Sequence, residues 1–356
     1  MGLERTIVQE LPYPRRMDWN LVESWADGIP VYSENDPEYP EWKATPIIPI
    51  ETPFGTAYVK NESNRLSNPT GTIKDRPAWE MACLYRDFAR NLWLQRGAGT
   101  LGQNIESIEV PRLTYVTAGN VGLAFANRLK QHGLPPMKLL VNASIPLDRL
   151  NMLKGLHADI YMADLSAREL SPEEIKASTN NPNGVDITSV RSLELVPLFY
   201  DWHVHEAFNE NPDEIFTPAG SLALMGCYLF HQQRNARIAD PRLKIPINEL
   251  SNISVLGATP YSRHSIADKL TSDYLPFAPI NDTDVSALKT FGFTRQDTGI
   301  YRVREDYIRD AHSILSQYVA CEPSSAAGLA LFLQRGDEGK IDPGKKHLII
   351  NTGRGI

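Results

Sequence analysis

The spacing of apolar residues divides the chain into a lead-in without a period and a long stretch in which strand-like and helix-like patterns take turns. Residues 1–45 are rich in Pro, Trp and acidic groups, which predicts an irregular arm on the surface. Ala57-Tyr58-Val59-Lys60 predicts a short strand, and residues 75–94 repeat apolar positions at helical spacing. The run 97–102, Gly-Ala-Gly-Thr-Leu-Gly, predicts a loop; no apolar strand leads into it, so it is not a dinucleotide fingerprint. Strands are then expected at 113–117, 138–142 and 159–163, with helices at 121–132 and 147–156 between and after them. Residues 171–186 are polar and turn-forming and predict a return linker. Beyond them come a strand at 214–217, a helix at 222–233, a strand at 253–257 and a last buried strand at 346–351. Strand and helix in alternation mean parallel βαβ units. The expected fold class is therefore α/β, with parallel-rich twisted sheets flanked by helices.

Length changes this picture from one body to two. Single cores stop growing at roughly 250–300 residues, and the chain has 356, 42% of them hydrophobic and 22% charged. The predicted organisation is an arm over 1–45, a large domain from 46–77 and 191–356, and a small mobile domain over 78–190. Two such lobes imply a cleft between them.

Charge and cysteine content then narrow the function classes. Lys plus Arg number 36 against 43 Asp plus Glu, a net charge of −7, and no long basic run is present, so nucleic acid is not an expected partner. Cys83, Cys227 and Cys321 are too scattered for a disulfide framework or a Cys-x-x-Cys metal pair, which suits a reducing compartment. The start is charged and broken by prolines, and the longest apolar run, 222–230, falls far short of the roughly 20 residues that span a bilayer. The expectation is a cytoplasmic protein without a membrane partner.

Candidate chemistry lies at five turns. In Asn68-Pro69-Thr70-Gly71-Thr72-Ile73-Lys74-Asp75-Arg76 a tight turn delivers Lys74 to a helix start. A lysine whose pKa is lowered there supplies the neutral amine that attacks an aldehyde. Taken alone, Lys74 reads as a solvated lysine. Val116-Thr117-Ala118-Gly119-Asn120-Val121-Gly122 runs from strand through a small-residue turn into a helix, where Asn120 either enters a ligand site or caps the helix. Ile215 to Ser221 repeats that arrangement, with backbone amides and the Ser221 hydroxyl suited to a phosphate. Glu322-Pro323-Ser324-Ser325-Ala326-Ala327 opens a helix of small residues, and Asn351-Thr352-Gly353-Arg354-Gly355 follows the last strand. Asp201-Trp202-His203-Val204-His205-Glu206 holds two histidines and two carboxylates, but no nearby spacing supplies further ligands; it predicts a partly exposed amphipathic segment and no metal.

In this order and spacing the segments resemble the fold-type II pyridoxal-phosphate enzymes, the tryptophan synthase β-like superfamily, over residues 45–356. Asn68 to Arg76 is similar to the Asn-Pro-Thr-Gly-Ser-Phe-Lys-Asp-Arg motif of threonine synthases, Glu322 to Ala327 to their Glu-Pro-Ala-Ser-Ala-Ala, and residues 352–355 to their Thr-Gly-His-Gly. Thr45-Pro46 matches the Thr-Pro before the first strand there. The resemblance implies pyridoxal 5'-phosphate as cofactor, with Lys74 forming the Schiff base and acting as general base, and Asn120 at the phenolic oxygen. Ala219, Gly220 and Ser221 would hold the phosphate, and Thr352 would sit at the pyridine nitrogen. It also implies Thr117, Ala118 and Gly119 at the substrate carboxylate, with Arg354 as a fixed charge near the substrate. Three departures stand out: Pro218-Ala219-Gly220-Ser221-Leu222 keeps one glycine of the family's Gly-x-Gly-Gly, Ala118 stands where relatives often have serine, and Arg354 replaces histidine. The implied activity is β- or γ-elimination or replacement on an amino acid, threonine synthase-like, by a homodimer. A cysteine synthase-like or serine/threonine dehydratase-like enzyme is the alternative within the superfamily, and a non-catalytic binding protein the alternative outside catalysis.

Overall fold

The computed structural model describes residues 5–10, 44–97, 110–117, 119–166, 168–188, 200–235, 237–238, 240–271 and 281–355. The chain divides into two compact units, one drawn from 1–39 and 77–193, the other from 40–76 and 194–355.

The first unit is built on a five-stranded sheet. Strand β1 (Arg5–Gln9) runs antiparallel to β6 (Ala158–Ala163), while β5 (Met137–Asn142), β4 (Leu113–Val116) and β7 (Val185–Asp186) follow in parallel, giving the order β1-β6-β5-β4-β7. Every side chain of β5 up to Val141 is buried, as expected of a central parallel strand covered on both faces. Its helices are α1 (Asp75–Gly97), which starts two residues before the unit, α2 (Asn120–Gln131), α3 (Leu147–Lys154) and α4 (Pro172–Ser178).

Two expectations are corrected here. The lead-in is not wholly irregular, since Thr6, Ile7 and Val8 are β-branched and join a sheet edge. The stretch 171–186 is not a linker: Ser171 accepts from Glu174 N and the Glu174 carboxylate accepts from Ser171 N, a capping box that starts α4 with Pro172 in its first turn. The Gly-rich loop expected at 97–102 lies beyond residue 97 outside the described residues, as does most of the arm.

The second unit holds a six-stranded sheet ordered β10-β9-β8-β11-β3-β2, in which only β2 (Ile47–Thr52) is antiparallel to its neighbour, β3 (Gly55–Asn61). Parallel to β3 run β11 (His347–Asn351), β8 (Glu214–Pro218), β9 (Ser254–Pro260) and β10 (Gly299–Val303). Helices α5 (Asp201–Asn209), α6 (Ala223–Asn235), the short α7 (Ile247–Leu250), α8 (Asp282–Thr290), α9 (Glu305–Leu315) and α10 (Ala327–Asp337) belong to this unit. Its core joins Val59, Phe216, Leu256 and Ile349 of the sheet to Ile308, Leu315, Leu329 and Phe332 of the helices. A Cβ at Gly328 would stand 2.7 Å from the Phe216 carbonyl, so α10 reaches the sheet only because that position is bare. Among the described residues no helix is long and apolar enough to cross a membrane, and the three cysteines form no disulfide.

Candidate active site

Lys74 owes its place to two distant strands and a turn. The Asn68 carbonyl accepts Gly71 N at 2.7 Å, closing the turn, and Gly71 takes a left-handed φ of 75°. The turn is then clamped by the segment after β11: Ile73 N donates to the Thr352 carbonyl at 2.9 Å, Arg354 N to the Gly71 carbonyl at 3.1 Å, and Thr72 bridges Gly353. Gly353 has φ 126°, and a Cβ there would meet the Gly71 carbonyl oxygen at 2.6 Å, so only glycine allows the two segments to touch. Lys74 N donates to Thr72 Oγ1 at 2.9 Å, and Nζ donates to Tyr200 Oη at 2.7 Å.

The half-buried amine is pulled down to about 8 by loss of solvent, against the opposing effects of the Glu322 carboxylate and Cys227. Burial pushes the Tyr200 phenol well above its usual range, so it stays protonated. Glu322 pairs with Lys269 Nζ and donates its own N–H to the Gly353 carbonyl at 3.1 Å. Ser325 Oγ lies 2.8 Å from Thr352 Oγ1.

The other residues of the lysine motif hold it in place. Asp75 Oδ2 accepts Thr70 N at 2.9 Å and Thr70 Oγ1 at 2.7 Å. Arg76 Nε donates to Glu62 Oε2 at 2.8 Å, and its two terminal nitrogens reach Glu206 Oε1 at 2.7 Å and Oε2 at 2.9 Å. Lys60 Nζ adds Glu206 Oε2 at 2.6 Å and Thr45 Oγ1 at 2.7 Å; Asn68 Nδ2 donates to Glu62 Oε2 at 2.8 Å. His203 completes the cluster, with Nδ1 2.9 Å from Glu62 Oε1 and Nε2 2.6 Å from Tyr228 Oη. Burial alone would raise the Glu62 carboxyl, but Arg76, His203 and Lys60 hold it well below its usual range.

The loop after β8 bears on the same site. Ala219 N donates to the Ala258 carbonyl at 2.8 Å, and α6 starts at Ala223, leaving its first amides without intrahelical partners. Leu222 sits at φ 60°, a left-handed conformation that costs a leucine roughly 1–2 kcal/mol. The loop thus takes a backbone shape suited to glycine although the sequence offers a bulky residue. Cys227, one turn into α6, is among the groups that act on Lys74, which ties this helix to the amine.

Of the sequence-predicted residues, Lys74, Ala219, Gly220, Ser221, Thr352 and Arg354 belong to the second unit, and Thr117, Gly119 and Asn120 to the first; Ala118 lies outside the described residues. The Arg354 side chain packs over Gly71, where an added Cβ would stand 3.0 Å from its Nε. Asn120 is the first residue of α2, which Gly119 caps, so of the two roles left open for Asn120 the capping one is corrected. Thr117 Oγ1 accepts Gly119 N and Gly122 N, each at 3.1 Å, and these bonds already engage the Gly119 amide expected at a carboxylate. The segment 201–206 is likewise corrected, because Asp201, His203 and His205 are buried rather than partly exposed. Sequence reasoning missed Tyr200, which stands far along the chain from Lys74, and Glu62, for which a buried Lys-x-Glu at 60–62 was the available signal; Glu206 was noted in the 201–206 segment but not as a partner of the lysine motif.

Comparison with known proteins agrees with this architecture. A serine racemase from Dictyostelium discoideum superposes with a TM-score of 0.58 at 19% identity, covering 96% of this chain and 99% of its own. Diaminopropionate ammonia lyase from Escherichia coli, in complex with an aminoacrylate-PLP azomethine reaction intermediate, gives 0.59 at 15% identity, covering 99% and 94%. An O-ureido-L-serine synthase gives 0.52 at 17% identity, covering 92% and 93%. At such identities the likeness is one of fold. No curated protein sequence matches the chain. The family described as pyridoxal-phosphate dependent enzyme matches residues 39–353. That span takes in both units, so the chain belongs to the pyridoxal-phosphate dependent enzymes and its cofactor is pyridoxal 5'-phosphate.

Proposed function

We propose that the protein carries out β- or γ-elimination or replacement on an amino-acid substrate, with Lys74 as the residue that binds the cofactor and moves the α-proton. The carrying observation is the state of Lys74: a half-buried amine at about 8, held by Tyr200 on a turn that Ile73 N ties to the Thr352 carbonyl. The donor set suits the cofactor. Ala219, Gly220 and Ser221 lead into a helix start whose amides favour a phosphate, and the strain at Leu222 is of the kind stored where a ligand shapes a loop. Thr352, paired with Ser325, offers the pyridine nitrogen a hydroxyl without charge. Bound there, pyridoxal phosphate supplies the electron sink for charge developing at the substrate α-carbon.

The chain's own residues supply the proton traffic. Lys74 Nζ has a pKa close enough to neutrality to take up a proton and return it. Tyr200 Oη accepts from the charged amine and donates to the neutral one, which keeps Nζ in one position through both states. Arg354 adds a permanent positive charge beside the lysine turn, suited to an acidic group on the substrate. The solved relatives of similar fold are named for serine, diaminopropionate and O-ureidoserine chemistry, which supports a β-substituted amino acid as the first class to try; the motif likeness adds the phosphate ester of a threonine synthase substrate.

The test is a spectrum followed by a screen. Purified protein loaded with cofactor is expected to show an imine absorption band that Lys74→Ala abolishes. O-phosphohomoserine, O-acetylserine, serine and threonine are then screened for release of phosphate, acetate or ammonia. A colourless protein that takes up no cofactor, or a band unchanged in Lys74→Ala, overturns the role of Lys74; a band without turnover of any substrate favours the non-catalytic alternative.

A further inference from the structure

Helix α5 presents a second polar cluster, on the side away from Glu62. Asp201 and His205 stand one helical turn apart, and His231 of α6 faces them; all three are buried. Asp201 Oδ1 lies 2.7 Å from His231 Nε2 and 3.5 Å from His205 Nδ1, and one donor atom from each residue falls within 4.8 Å of the others. Tetrahedral ligands with bonds of about 2.0–2.1 Å stand roughly 3.3 Å apart, so the observed spacings bracket that figure. His205 Nδ1 and His231 Nδ1 have no directed hydrogen-bond partner, and His231 Nε2 meets Asp201 Oδ1 at 2.7 Å. Buried polar atoms left in that state are costly, and an electron-pair acceptor placed among them would remove the cost.

We propose that Asp201 Oδ1, His205 Nδ1 and His231 Nε2 bind a zinc ion. The surroundings have the form that ligating groups require. His205 Nε2 stands 3.1 Å from Asp240 Oδ2, so its N–H is directed to a carboxylate and its Nδ1 lone pair turns toward Asp201 and His231. Arg242 fixes both acids: Nη1 donates to Asp201 Oδ2 at 2.6 Å, Nη2 to Asp240 Oδ2 at 2.8 Å and Nε to Asp240 Oδ1 at 3.0 Å.

The charge around the cluster selects the metal. Arg242, with Arg234 at 3.9 Å from Asp240, offsets the two carboxylates, so a hard cation held by oxygen and net negative charge finds neither here. Two imidazoles and one carboxylate are the donor set of zinc, which tolerates weakly charged sites such as three histidines. The ion would tie α5 to α6 directly behind Tyr200, the residue that holds the Lys74 amine, and so serve as a structural pin.

The test uses the full-length protein with its cofactor, stripped with a chelator, incubated with zinc, desalted and assayed by mass spectrometry for metal. About one zinc per chain is expected, with affinity reduced at least tenfold in His231→Gln and His205→Gln, and about 10–100-fold in Asp240→Asn. No retained zinc in the parent protein, or equal retention in all three variants, overturns the site. Should the variants unfold, cobalt loading of the parent decides by difference spectroscopy: tetrahedral visible bands uphold the assignment and their absence overturns it. None of these outcomes bears on the Lys74 reading, which is followed through the imine band.

Discussion

The two faces of α5 carry buried polar clusters of similar composition and unequal completeness. On one face Glu62, Glu206, Lys60 and Arg76 match two negative with two positive charges, and His203 uses both ring nitrogens, on Glu62 and Tyr228. On the other, Asp201, Asp240 and Arg242 are similarly paired, but His231 engages one ring nitrogen, Nε2 on Asp201, and its Nδ1 has no directed partner. The contrast teaches that charge balance and hydrogen-bond saturation are separate conditions: the first cluster meets both and can only lock, whereas the second meets one and keeps ring nitrogens that a ligand could engage.

The strongest way to break the comparison is Arg76→Met, which leaves Glu62 and Glu206 buried with Lys60 as their one remaining cation among the residues named here. A loss of about 3–5 kcal/mol is expected in urea unfolding; a loss below about 1 kcal/mol would show that the first cluster is no lock. A second handle is pH. Burial holds both His203 and His231 below their usual pKa, so the unfolded chain binds protons more readily and stability is expected to fall as pH drops below about 6.5. Zinc should steepen that fall through the second cluster only, and a slope unaffected by zinc would remove the distinction. The smallest effect is expected for His231→Gln in metal-free protein, less than about 1 kcal/mol, because the glutamine amide can still donate to Asp201 Oδ1 as His231 Nε2 does. Thermal scans with and without zinc should then separate the variant from the parent by more than the substitution itself does.

Much of the fold was legible because period and burial coincide. The strand at 347–351 is wholly buried around the apolar run Leu348-Ile349-Ile350, and α2 shows its helical spacing plainly. The helix at 172–178 was hidden by its polarity, yet Ser171-Pro172-Glu173-Glu174 spelled its start. At the site, Lys74 was readable because its turn must be written in consecutive residues. Tyr200, 126 positions away, was not, since its approach is fixed by sheet order and helix packing rather than local pattern. Leu222 shows the opposite failure: tertiary packing imposes a conformation that the local sequence disfavours.

The antiparallel contact between Thr72 and Gly353 also constrains when the site can exist. A ribosome delivers the amine roughly 280 residues before its clamp, so the lysine turn must wait for the backbone that orients it. Cofactor capture is thereby deferred until that backbone has been made, and a chain released before residue 352 would carry the reactive amine without the means to aim it.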